Sequence, residues 1–163
     1  MINQIYHASD EVSSRSLHSV HMMIDEEMGE LARAINRPAR CDEPAFNELC
    51  DVIICLADMM WLCNNYDAIL HHHDTRYETE LKKWFDRAYP RDEYLAFQEL
   101  KKEVFLIDLN RDTSYVFQRC VDAMNVSMSM LRTFEPGLSY EELVALTRVT
   151  IARKCAKWVG LKA

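Results

Sequence analysis

The chain has 163 residues, 49% of them hydrophobic, which is enough to bury one sizeable core. Only 3 Gly and 4 Pro are present, so the turn chemistry of many short strands is missing and an all-α fold is expected. A net charge of −7 has the wrong sign for gripping a nucleic-acid polymer, and the longest apolar stretch, Val52 to Ala57, falls far short of the ~20 residues of a membrane-spanning helix.

The opening residues lack a basic start and an apolar signal core, so a cytoplasmic location is expected. The first predicted helix runs from Ser14 to Asn36. Leu17, Val20, Ile24, Met28, Leu31 and Ile35 form its apolar stripe at helical spacing, and Arg37-Pro38 ends it. A second helix, with Asp42 as N-cap and Pro44 in its first turn, continues to Asn64. A third spans Asp67 to Arg87. Beyond Pro90, helices are expected over Asp92–Leu109 and Thr113–Thr133. The last starts at Ser139, whose spacing to Glu142 is that of a capping box, and stops at Val159 before Gly160.

The six cysteines form no C-x-x-C pair and most lie in apolar helical runs, so they are expected as buried thiols. A shift of 74 positions lays Val52, Tyr66, Lys83 and Trp84 on Val126, Tyr140, Lys157 and Trp158, which is 4 identities over residues 48–84. An eroded duplication and chance both remain open. The expected organisation is residues 1–90 carrying the chemistry and residues 91–163 as a helical second half, a degenerate repeat if the duplication is real, packed on the first as one domain.

Between Leu49 and Cys63 the only residues outside the hydrophobic set are Asp51 and Asp58. Such a helix belongs in the interior, and its acids are the anomaly. At about 100° per residue, Glu48, Asp51 and Asp58 share one narrow stripe. On the first helix Glu26, Glu27 and Glu30 fan across about 100°, with Glu27 within about 20° of the apolar Val20. Taken alone, the glutamates read as a solvated helix face. Acids on an otherwise apolar helix do not, because an unpaired buried charge costs several kcal/mol. Carboxylates about 4 Å apart repel by roughly 4 kcal/mol at an effective dielectric of 20, so their convergence calls for a cation, and an all-oxygen set suits Mg²⁺ or Mn²⁺.

The residues Glu26-Glu27-Met28-Gly29-Glu30-Leu31, followed by Glu48-Leu49-Cys50-Asp51-Val52, resemble the E-E-x-x-E and E-x-x-D motifs of the MazG-like all-α nucleotide pyrophosphohydrolases, a superfamily that includes dimeric dUTPases and phosphoribosyl-ATP pyrophosphatase. The resemblance covers residues 14–90. It implies a MazG-like helical bundle, a Mg²⁺-dependent cleavage of a nucleoside triphosphate to the monophosphate and pyrophosphate, and association into a homo-oligomer, dimer or tetramer. By it, Glu27, Glu30, Glu48 and Asp51 are the metal ligands and Glu26 helps hold a second metal or orients the attacking water; in the expected reaction Glu26 or Glu27 accepts that water's proton.

The family's next helix carries K-x-x-x-N-x-x-R. The register that keeps Arg87 puts Glu80 and Trp84 in the Lys and Asn places, with Lys82 and Lys83 nearby. Lys83, Arg87 and Asp58 are the substrate-contacting candidates, against a solvated basic helix end. Two other function classes stand beside the hydrolase: a non-catalytic helical interaction or regulatory protein, and a di-iron carboxylate bundle, which wants an E-x-x-H that neither acidic motif supplies. His71-His72-His73 cannot converge on one ion from a helix, because neighbours diverge by about 100°. Trp61, Tyr66 and Trp84 could stack on a base, but aromatics at helical spacing more often belong to the core.

Overall fold

The computed structural model describes residues 1–12, 14–66 and 92–162, and these are mostly helical with no strand among them. In chain order the helices are α1 (Ile2–Glu11), α2 (Leu17–Asn36), α3 (Ala45–Tyr66), α4 (Glu93–Phe105), α5 (Thr113–Phe134) and α6 (Tyr140–Lys162), with a single 3₁₀ turn at Pro38–Arg40. The predicted helix Asp67–Arg87, and with it His71, His72, His73, Lys83, Trp84 and Arg87, lies outside the described residues.

Helix starts follow local chemistry. Ser16 caps α2 by accepting from the Ser19 amide at 3.1 Å, while the Ser19 hydroxyl accepts from the Ser16 amide at 3.1 Å. Asp92 and Asp112 cap α4 and α5, accepting from the Leu95 and Tyr115 amides at 2.9 and 2.8 Å. The expected capping box at α6 is present, with the Ser139 amide donating to Glu142 Oε2 at 2.8 Å and the Glu142 amide donating to Ser139 Oγ at 3.3 Å.

Several boundaries differ from expectation: α2 starts at Leu17 rather than Ser14, and α4 ends at Phe105 rather than Leu109. The first backbone bonds of α3 run to the carbonyl of Pro44, which accepts from the Asn47 and Glu48 amides at 2.8 and 3.2 Å, so the helix starts beyond Asp42. Helix α6 passes through Gly160 to Lys162, because one glycine costs only about 1 kcal/mol inside a helix. The N-terminal residues, given no helix by periodicity, form α1, which buries Ile2, Ile5, Ala8 and Ser9. A 10-residue helix is marginal alone, and α1 exists because it packs on α3 and α6.

Helix α3 is the axis of the fold, held mainly between α2 and α5 with α1 and α6 against it. Leu49, Ile53, Leu56, Met59 and Met60 on α3 are wholly enclosed. Burying each such side chain contributes about 1.5–3 kcal/mol. From Leu49 to Asn64 only Asp51 and Trp61 are not fully buried. Residues from both halves of the chain join one core. All six cysteines are free and five are buried; burial pushes the Cys50 thiol up to about 12 and Cys155 to about 11, which leaves both as inert packing groups. No helix of the described residues is long and apolar enough to cross a membrane.

Candidate metal centre

Helix α2 directs its Glu27 edge toward α3. Val20, Ile24, Met28 and Leu31 bury the neighbouring stripe, which leaves Glu27 half-buried at the rim. On α3, Glu48 and Asp51 are one turn apart and face that rim. Glu27, Glu48 and Asp51 each offer a carboxylate oxygen, and these lie within 4.8 Å of one another. At that spacing each pair repels by roughly 3–4 kcal/mol at an effective dielectric of about 20. The proton affinities carry the strain. Burial, then the charges of Asp51, Glu30, Glu48 and Glu26, raise Glu27 to about 7. Burial followed by Asp51 and Glu30 raises Glu48 to about 6.

Asp51 also has a cation on it. Lys154 of α6, 103 residues away in the chain, donates from Nζ to Asp51 Oδ2, and to Glu43 Oε2 at 2.7 Å. Burial nevertheless holds Asp51 above its ordinary value despite the Lys154 hydrogen bond and charge. One ammonium therefore does not offset the desolvation of this cluster. Burial alone would lower Lys154, but its bonds to Asp51 and Glu43 outweigh that and hold it above the usual lysine value. Glu27 and Glu48 form no ion pair among the described residues. Three hard oxygen donors, two of them without an ion-pair partner, fit a small divalent cation, and among the described residues no histidine joins the group.

Glu30 lines the same cleft and contributes to the field on Glu27, Glu48 and Asp51, but it lies outside the tight trio and sits 3.8 Å from Arg33. Glu26 is exposed and does not line the cleft, so of the two candidate proton acceptors only Glu27 faces the site. Asp58, expected as a substrate contact, also lines this cleft, and its carboxylate has partners of its own. It is 1% exposed, accepts from Arg15 Nε at 2.7 Å on Oδ2, and is met on Oδ1 by Ser9 Oγ at 2.7 Å and by the second Arg15 nitrogen. The Arg15 guanidinium lies 5.0 and 5.4 Å from the ring centroids of Trp61 and Trp158, and Trp61 Nε1 donates to Asp10 Oδ1 at 3.1 Å. With both oxygens engaged, Asp58 ties the N-terminal segment to α3.

The acids open onto a cleft of about 660 Å³. Besides the acids it is lined by Arg33 and Arg40 from the end of α2 and the turn after it, and by Arg153, Lys154 and Lys157 from α6. Met23, Ile54, Cys55 and Trp158 add an apolar portion. The basic lining was not read from the sequence. Arg153, Lys154 and Lys157 do occupy one helical face, and the 74-residue shift does lay Lys83 on Lys157, but neither pattern says which side of α6 meets the acids.

No family model matches the chain, and no match was found among curated proteins or solved structures.

Proposed function

We propose that the chain is a divalent-ion-dependent nucleoside triphosphate pyrophosphohydrolase of the MazG-like kind. One observation carries this reading: Glu27, Glu48 and Asp51, from two packed helices, converge within 4.8 Å in a cleft whose remaining lining mixes five Arg and Lys side chains with four further acids. An anionic substrate and a cation are both accommodated by such a surface. The volume of about 660 Å³ lies in the range of small-molecule sites.

Glu27, Glu48 and Asp51 would hold the ion, Mg²⁺ or Mn²⁺, with Glu30 adding negative charge beside them. When bound, such an ion supplies neutralisation of phosphate charge and lowers the pKa of a coordinated water. The chain's own residues do the rest. Arg33, Arg40, Arg153 and Lys157 offset the charge of the polyphosphate and of the departing pyrophosphate. Water attacks the α-phosphorus, the bond from that atom to the bridging oxygen breaks, and the water proton passes to a Glu27 oxygen. Glu27 suits this step because, of the two candidate acceptors, it is the one that lines the cleft beside the ion-holding oxygens.

The test is a panel of ribo- and deoxyribonucleoside triphosphates incubated with Mg²⁺ or Mn²⁺ and assayed for released pyrophosphate. At least one substrate is turned over by the wild type, while E48Q and D51N lose turnover by about 10³-fold or more with far-UV circular dichroism unchanged. Silence across the panel removes the hydrolase reading, and retained activity in both variants removes the site. A mass measurement in solution checks the proposed homo-oligomer.

A further inference from the structure

Lys154 stands between two roles. Its side chain is 10% exposed and reaches from α6 to Asp51, the carboxylate that also offers an oxygen to the Glu27 and Glu48 group. A divalent ion among those oxygens would set like charge against the Lys154 ammonium. The ion and the ammonium therefore compete for the charge of Asp51. The second partner of Nζ, Glu43, lies on the more open side, 36% exposed, and lines the same cleft as Arg153 and Lys157. An ammonium that leaves Asp51 thus keeps an anchor and remains beside the basic lining.

We propose that Lys154 is a built-in counter-cation, which neutralises Asp51 while the acid cluster is empty, yields it to a divalent ion, and then turns with Glu43 toward the polyphosphate. Through this one side chain, occupancy of the ion site and of the anion site are coupled. The inference rests on the hydrolase reading for the identity of the anion. It does not rest on turnover.

Binding of Mn²⁺ alone is measured by titration calorimetry on the metal-free full chain, and a non-hydrolysable α,β-imido nucleoside triphosphate is then titrated into the Mn²⁺-saturated protein. Without its resident competitor, K154M binds Mn²⁺ about fivefold tighter than wild type and the imido-nucleotide about tenfold more weakly. Equal or weaker Mn²⁺ binding by K154M that shows a cooperative melt overturns the proposal. Should K154M fail to fold, E43Q decides: with Glu43 neutral the ammonium settles on Asp51, so Mn²⁺ binding weakens by about threefold or more, and unchanged or tighter binding overturns the proposal. Absence of Mn²⁺ binding by the wild type overturns both this inference and the hydrolase reading. Tighter Mn²⁺ binding by K154M with a silent substrate panel upholds Lys154 and removes only the hydrolase.

Discussion

Raising the pH from 5 to 8 in the absence of metal is expected to destabilise this protein, and a divalent ion is expected to cancel that loss. Glu27 is raised from 4.5 to about 7 and Glu48 to about 6 in the folded chain. Below 4.5 both folded and unfolded states hold these protons. Between 4.5 and about 7 the unfolded chain releases them first, so stability falls with rising pH, and above about 7 the loss is complete. At 1.36 kcal/mol per pKa unit, Glu27 alone would reach about 3 kcal/mol, and water screening of a half-exposed carboxylate reduces this to about 1–2 kcal/mol. For a chain of this size that is a melting temperature lower by about 3–6 °C at pH 8 than at pH 5. Glu43 is lowered and acts only below its ordinary 4.5, and Lys154 is raised and acts only above 10.5, so neither interferes within this window. Saturation with Mg²⁺ or Mn²⁺ at about 100 times the dissociation constant restores about 2.7 kcal/mol at pH 8, and much less at pH 5 where protons compete for the same oxygens. The assay is thermal denaturation with chelator or metal at both pH values, with E27Q, which keeps the Glu48 contribution, as the shallower-slope control. A metal-free melting temperature that climbs toward pH 8 more steeply in wild type than in E27Q, or an equal metal effect at both pH values, would falsify this account of the cluster.

Other outcomes follow from the packing. R15M leaves Asp58 buried without its cation and is expected to cost about 3–5 kcal/mol in urea denaturation; a cost under 1 kcal/mol would show that the clasp between the N-terminal segment and α3 is not structural. S16A removes the acceptor for the Ser19 amide and is expected to cost about 1 kcal/mol, with an unaltered denaturation midpoint counting against the cap. I53A opens a cavity at a fully enclosed site on α3 and is expected to cost about 2–5 kcal/mol, while a loss near 0.5 kcal/mol would mean that the surrounding helices collapse onto the gap.

The sequence by itself determined α2 to α6, apart from their exact ends, and the acidic stripe. Apolar spacing from Leu17 to Ile35 marks the buried face of α2, Ser139 and Glu142 mark the start of α6, and the polar interruptions at Asp51 and Asp58 stand out because the rest of α3 is apolar. These are properties of residues a turn or so apart, where a regular helix fixes direction. Only the tertiary structure separated the two aspartates, giving Asp51 to the cluster and Asp58 to Arg15, although the helical wheel puts them within about 20°. It likewise decided that Ile2–Glu11 is helical, since so short a segment gains its stability from α3 and α6. Lys154 meeting Asp51 across 103 residues was hidden for the same reason. Charges act through distance in space, and the rotation and seating of α6 against α3 are set by packing of the whole core, which no local pattern in the chain specifies.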